Sequence, residues 1–447
     1  MKRFWLVLLS LGLIMAFSAS AFAVDVKFSG SYYIAGMYVD RVKLDDTGTD
    51  GQSTAFYFQR LRLQTNFIVS PGLQLITRAD IMERAWGAAR SNPGRNLDPS
   101  KTTSGTDAEN ENIAFDYAYL QYATPVGMFR GGILPGGTWG TVFGNSAGPR
   151  NRLLYISPAV GGFSLLAVIE KNNENSYYAK NLSTQTDKDR DTYWLGIVYA
   201  NKRVETGILY GFVNRAEGRM DPGGGIDTGK KSKVHNIFPY AVVNVGPVKI
   251  QTEVDWTIGT TEFDNGTRPD ADVDGLAGWV DATAVFGPVY VGASVAYARG
   301  DVDPNDTLEY GGRTGGMDYS PTLIMWNEDR SMWFGALNSS YAAGGFNTYS
   351  GLANAWLYQG RVGVKPIEKL DIMASLSFAQ ADKTPDNYVS DEYGWEIDVT
   401  GTYKITNNLS YMLGVGYLIT GDYFKGTNSA NEVANDFLVI NKLTLTF

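Results

Sequence analysis

Residues 248–258 read VKIQTEVDWTI. Ile250, Thr252, Val254, Trp256 and Ile258 share one parity, and Lys249, Gln251, Glu253, Asp255 and Thr257 the other. A period of two puts the two sets on opposite faces of an extended strand. The pattern recurs. Val24, Val26, Phe28, Gly30, Tyr32 and Ile34 oppose Asp25, Lys27, Ser29 and Ser31; residues 370–378 and 395–404 alternate in the same way. Residues 241–254 (AVVNVGPVKIQTEV) and 282–295 (ATAVFGPVYVGASV) repeat one unit, a strand, a Gly-Pro turn and a strand.

Working outward from these strands, two kinds of connection alternate along the chain. Short ones fall at 70–72, 124–127, 157–162, 200–203, 246–247, 287–288, 366–369 and 406–408. Long ones, polar and rich in Asp, Asn, Gly and Thr, fall at 41–53, 85–112, 135–151, 172–190, 216–233, 261–276, 300–350, 381–392 and 421–435. Sorting of loops by length is the organisation of an all-β, transmembrane antiparallel barrel, with short periplasmic turns and long extracellular loops. A soluble sandwich has no reason to sort its loops. Nine hairpins give 18 strands, with 16 as the alternative if the short strands near 128–134 and 152–158 do not form; a further hairpin around 321–334 is open within the long segment 300–350. The polar parity is expected inside the ring and the apolar, aromatic parity outside.

The first residues fit that destination. Lys2 and Arg3 precede an apolar run from Phe4 to Phe17, and Ala21-Phe22-Ala23 is an A-x-A cleavage site, so 1–23 reads as a secretory signal peptide and 24–447 as the barrel. The run is shorter than the roughly 20 residues a membrane-spanning helix needs. Export is expected to end in the outer membrane, with the chain crossing it many times. The full chain carries 38 Lys plus Arg against 47 Asp plus Glu; without Lys2 and Arg3 the balance is 36 minus 47, or −11. That acidity argues against nucleic acid as a partner. With no cysteine and one histidine, His235, disulfides, thiolate metal sites and covalently attached haem are excluded, and no nucleophile, base and orienter are spaced as an enzyme needs.

At the C-terminus, DFLVINKLTLTF puts Leu443, Leu445 and Phe447 on one parity. It resembles the signal by which the outer-membrane insertion machinery recognises barrels. Residues 151–170, NRLLYISPAVGGFSLLAVIE, are similar to the strand, Ser-Pro turn and strand that follow the constriction loop of the Gram-negative general diffusion porin family, and 113–134, IAFDYAYLQYATPVGMFRGGIL, resemble the hairpin before it. The likeness covers about 60 residues. It implies a water-filled channel for passive diffusion of small hydrophilic solutes and ions, working without a cofactor, surrounded by outer-membrane lipid and lipopolysaccharide, and assembled as a homotrimer in which 85–112 latches a neighbouring subunit. It also implies that 135–151 folds inward as the constriction loop, facing an arginine ladder on the wall. Candidates for that wall are Arg60, Arg62, Arg78, Asp80, Arg130 and Arg152. Inward placement is also the inexpensive one, because a lipid-facing Arg at the midplane costs about 2–4 kcal/mol. The loop itself contains no acid, so a counterpart must come from the wall, with Asp80, Asp116, Glu253 and Asp255 available.

Two alternatives stay open: a substrate-selective channel with Tyr117, Tyr119 and Trp139 as an aromatic path, and a structural sheath plugged by a partner protein. One further motif stands apart. Asp270, Asp272 and Asp274, followed by Gly275, have the spacing of a calcium-binding loop, with Asp281 in place of its usual glutamate and no flanking helices; loop-bound calcium is a minor expectation beside a solvated acidic loop.

Overall fold

The computed structural model describes residues 24–46, 53–87, 113–175, 188–219, 229–264, 269–301, 318–342 and 351–447. Residues 1–23, most of the suggested latch segment, and 302–317 and 343–350 of the long segment 300–350 lie outside the described residues. The rest forms one antiparallel sheet of 18 strands, each paired with its neighbours in sequence, and β1 (Asp25–Val39) closes the ring on β18 (Asp436–Thr446). A closed ring leaves no strand edge, the condition for backbone polar groups to sit in lipid. Among the described residues no helix is long and apolar enough to cross a membrane.

The remaining strands are β2 (Thr54–Ser70), β3 (Leu73–Ala85), β4 (Ile113–Thr124), β5 (Gly127–Gly136), β6 (Gly148–Ile156), β7 (Phe163–Asn173), β8 (Arg190–Ala200), β9 (Val204–Arg215), β10 (Lys230–Val245), β11 (Val248–Phe263), β12 (Ala271–Phe286), β13 (Val289–Ala298), β14 (Ala355–Ile367), β15 (Leu370–Gln380), β16 (Glu392–Lys404) and β17 (Leu409–Thr420). All the short turns fall where the loop sorting puts them. The strands near 128–134 and 152–158 both form, so the count is 18 rather than 16.

The outward parity is apolar. Leu120, Leu153, Ile169, Leu195, Val280, Val291, Val362, Leu376, Ile397 and Leu413 are all exposed on it. Aromatic rings bracket this band. Phe129 packs on Tyr155 and Phe163 on Tyr199 near the short turns, and Tyr297 packs on Trp356 and Phe378 on Trp395 towards the long loops. Two aromatic belts around an apolar band mark the two interfaces of a bilayer. Phe447 is exposed in the belt on the short-turn side, with Leu445 exposed beside it, and its backbone exchanges two hydrogen bonds with Gly30, 2.8 and 3.0 Å. Leu443, opposite Ile34 of β1, has the same parity.

Three expectations are corrected. The segment 261–276 is mostly strand, because β11 runs to Phe263 and β12 starts at Ala271. The described part of the segment 300–350 contains no hairpin; it holds helix α1 (Glu328–Phe334), capped by Asn327, whose side chain accepts from the Arg330 N–H at 2.9 Å. The inner parity is not polar all round. On β12 to β18 and β1 it includes Ala277, Ala296, Leu357, Ala379, Leu438, Ile440, Ala35 and Met37, all buried in one apolar cluster with Ile324, Met325, Trp326 and Leu337. Residues 318–342 fill that half of the ring from within, and burial against them, rather than contact with water, selects small and apolar residues there.

Candidate functional site

The register of β2 to β7 brings the expected arginines into one stack. Arg62 on β2 lies opposite Asp80 on β3, and its guanidinium grips that carboxylate with two bonds, Nε to Oδ1 at 2.7 Å and Nη2 to Oδ2 at 2.6 Å. Arg78 donates to Asp116 on β4 from Nε at 3.1 Å and Nη2 at 2.8 Å, and the same carboxylate is 3.5 Å from Arg62. Arg60 completes the upper end, 3.3 Å from Glu83 and 3.9 Å from Asp80. Asp80 and Asp116 are only 8% and 6% exposed, so their charges depend on these partners. The arginines are braced from behind by rings: Arg78 lies 3.7 Å over Tyr117, and Arg60 lies 5.1 Å over Tyr33.

Lower on the wall, Arg130 donates to the Gln121 side chain at 2.7 Å and lies 5.8 Å from the Tyr119 ring. Both partners are neutral. Arg152 on β6 pairs with Glu170, directly opposite on β7, and donates to the Pro135 carbonyl at 3.2 Å; Arg150 adds a second cation 3.6 Å from Glu170. All six residues expected on this wall are therefore brought onto it, but as a ladder of alternating sign rather than a purely basic one. Glu83, Glu170 and Gln121 were not identified from the sequence. The parity of Gln121 and Glu170 is readable there, yet only the register of β4 to β7 shows that they stand beside arginines; Glu83 has the outward parity in the sequence and faces Arg60 because of the bulge at Met82, whose φ is 52°.

The loop between β5 and β6, residues 137–147, carries no acid and reaches one. Thr141 donates to Glu253 Oε2 of β11 from both its backbone N–H and its hydroxyl, each at 2.6 Å. Trp139 donates to the Phe238 carbonyl of β10 at 2.8 Å and packs edge-on against Tyr240, ring centroids 5.3 Å apart. These anchors stand four to six strands round the ring from the loop's own stems, so the loop crosses the lumen. Its approach requires glycine on the wall: a Cβ at Gly207 would lie 3.0 Å, and one at Gly196 3.1 Å, from the Trp139 ring. Tyr117 and Tyr119 are buried on the inner wall with Ile76 and Leu134, the Tyr117 hydroxyl donating to the Ala147 carbonyl of the loop, whereas Trp139 lies in the lumen with Trp194 and Phe238 nearby.

Residues 318–342 form the second inward body. It joins the first where Asn145 donates to Asp318 at 2.7 Å and where Phe143 packs between Trp279 and Tyr319. It is tied to the wall by Lys442 to Asp329 at 3.0 Å and by a buried Arg330–Asp436 pair at 3.6 Å, and to the segment after β1 by Ser340 to Asp45 at 2.7 and 2.6 Å. Burial pulls the Arg330 pKa down, against the opposing pull of Asp436 and Glu396. On the far side of the body Trp333 packs on Phe56 and Phe58, each 5.2 Å away.

The aspartates with calcium-loop spacing do not form a loop. Asp272 and Asp274 lie on the outward parity of β12; Asp274 is bonded by Arg299 and accepts from Trp256 at 3.2 Å. Among the described residues no three acidic or histidine side chains are grouped to hold a metal. His235 is likewise on an outward parity, its Nδ1 2.8 Å from the Tyr210 hydroxyl.

The comparison with solved structures returns outer-membrane porins that match over nearly the whole chain. The fold is the porin fold. Pseudomonas aeruginosa OccK9 (OpdG) matches with a TM-score of 0.55 at 13% identity, over 95% of this chain and 99% of its own. Pseudomonas aeruginosa OccK8 (OprE) gives 0.51 at 13% identity, over 95% and 98%. A BenF-like porin from Pseudomonas fluorescens Pf-5 gives 0.52 at 11% identity, over 94% and 99%. No family model matches the sequence, and no curated protein is similar to it. At these identities the likeness establishes the porin fold.

Proposed function

We propose that this chain is an outer-membrane channel that passes small hydrophilic solutes and ions down their gradients, along the half of the lumen lined by β2 to β11. The observation that carries this reading is the division of the inner wall. Residues 318–342 cover the apolar half, while the other half carries the paired charges and amides of the ladder, whose guanidinium groups stay part-exposed to the lumen, Arg62 at 28% and Arg150 at 47% of the side chain. A ring of this size has room for an aqueous path beside the inward loops. Along that path the sign and spacing of wall charges bias passage. Arg130, with neutral partners only, and the Arg150–Arg152 pair sharing Glu170 leave a local excess of positive charge, which favours anions.

The substrate-selective reading gains from one specific feature: Trp139 of the inward loop gathers in the lumen with Trp194 of β8 and Phe238 and Tyr240 of β10, next round the ring from the ladder. Rings beside guanidinium groups suit a solute with both a flat apolar part and a charge. The sheath reading loses ground, because this chain's own residues already occupy half of the bore. Reconstitution in planar bilayers tests the proposal: stable conductance steps with an anion-side reversal potential in a salt gradient support it. Saturable block by one solute supports the selective form over the general one, and absence of conductance from folded protein contradicts both.

A further inference from the structure

Glu396 stands on the inner parity of β16, fully buried beneath residues 318–342. Three consecutive backbone N–H groups of that segment converge on its carboxylate. Leu323 and Ile324 donate to Oε1 at 2.8 and 2.6 Å, and Met325 donates to Oε2 at 2.8 Å. Consecutive N–H groups aimed at one point form an anion receptor, and here the anion belongs to the barrel wall. The neighbouring strand is shaped for the same contact: a Cβ at Gly416 would lie 3.1 Å from the Leu323 Cβ, and one at Gly414 3.1 Å from the Leu323 Cδ1. The Gln359 side chain donates to the Pro321 carbonyl at 2.6 Å from β14. The other ties, at Asp329, Arg330 and Ser340, hold the segment further along; the Leu323–Met325 turn is held against the β16–β17 wall by Glu396 together with Asp398, which is hydrogen-bonded to Glu396 and to the Leu323 backbone.

We propose that Glu396 is a specificity-determining residue of the channel: by holding Leu323, Ile324 and Met325 on the wall it fixes how far residues 318–342 project into the lumen, and so sets the width of the path along the ladder. This rests on the channel reading above. Glutamine at 396 would keep one oxygen for the Leu323 and Ile324 N–H groups but set an amide N–H against that of Met325, so the grip is broken at one of its three donors and loses its charge while side-chain volume is kept. The turn is then free to leave the wall, and because this body covers about half of the ring, its displacement changes the open section by roughly twofold.

The chain has no cysteine, which allows a direct test in the full-length protein. In an Ile324→Cys background, where Ile324 is 1% exposed, the thiol is expected to resist a water-soluble maleimide, and adding Glu396→Gln is expected to speed its labelling by roughly tenfold or more. In bilayers, Glu396→Gln is expected to alter mean single-channel conductance by roughly twofold and to raise open-channel noise. Joining Leu323→Cys to Gly416→Cys by oxidation in that variant should return both towards the parent, with reductant reversing the change. Gly416→Val, whose Cβ would lie 2.8 Å from Asp398 Oδ1 and 3.1 Å from the Leu323 Cβ and so wedges the turn from beside an intact Glu396, should reproduce the effect if Glu396→Gln fails to fold. Unchanged labelling, or unchanged conductance in a variant that conducts, overturns the assignment. A parent protein that carries no current overturns the channel reading and the width role with it, while the labelling result still reports whether Glu396 anchors the turn.

Discussion

Asp80→Asn is the most informative single change on the ladder. The upper cluster contains Arg60, Arg62 and Arg78 against Asp80, Asp116 and Glu83, three charges of each sign and a net of zero. Asparagine keeps the shape and one acceptor for Arg62, and Asp116 remains 3.5 Å from that guanidinium, so the wall should hold while the cluster becomes +1. A unit charge about 5 Å from a permeating ion in a water-like medium acts with about 0.8 kcal/mol. Acting with opposite sign on anion and cation, it changes their ratio by about 1.7 kcal/mol before screening. With a Debye length of about 10 Å at 0.1 M salt and about 3 Å at 1 M, and about 1.4 kcal/mol per tenfold change, the anion-to-cation permeability ratio should rise roughly fivefold at the lower salt and less than about twofold at the higher. Reversal potentials in salt gradients at both ionic strengths measure this, and adding Arg62→Gln should restore the parent ratio. A change below about twofold at 0.1 M, or one towards cations, would refute a conducting path along this wall.

Arg130→Gln should move selectivity the other way, because it removes a cation that has no acidic partner; a reversal potential unchanged from the parent would place the path elsewhere. Leu195, exposed on the outward parity of β8, should tolerate arginine poorly, at about 2–4 kcal/mol, whereas Thr257→Arg on the inner parity of β11 should cost much less; the folded fraction after refolding into lipid vesicles compares them. Glu328, at the start of α1, has its pKa raised by burial and by Asp329. A raised carboxyl favours the protonated, docked state, so the stability it contributes is fully present below the ordinary carboxyl range of about 4.3 and is lost as pH rises through the raised value. Urea midpoints across that range should fall with pH in the parent and fall less in Glu328→Gln; parallel curves would contradict the assignment.

Strand number, the turns and the lipid-facing parity were legible in the sequence because each depends on local periodicity and turn chemistry. The arginines were legible for the same reason, since only the inner parity offers them water or a carboxylate. Among their partners Asp80 and Asp116 were legible as acids of the wall, as was Glu253, but which group each would meet was not. Whether Glu170 meets Arg152 depends on register across β6 and β7, and whether Thr141 finds Glu253 depends on a loop crossing the lumen, neither of which leaves a local signal. The inner parity of β12 to β1 misleads for a related reason: Ala277, Leu357 and Ile440 face inward because residues 318–342 pack on them, and a segment read as a polar extracellular loop gives little warning that it contains its own apolar core. The run Leu323, Ile324, Met325 and Trp326 was the available clue, and it was read as a possible strand.

Conductance of the purified mature chain in a planar bilayer addresses the central claim most directly, because it asks whether water-filled space remains beside the two inward bodies. Discrete, stable steps with a reversal potential on the anion side of zero are the expected result. Folded, heat-modifiable protein that inserts and carries no current would show that residues 137–147 and 318–342 close the ring, and would contradict the channel reading.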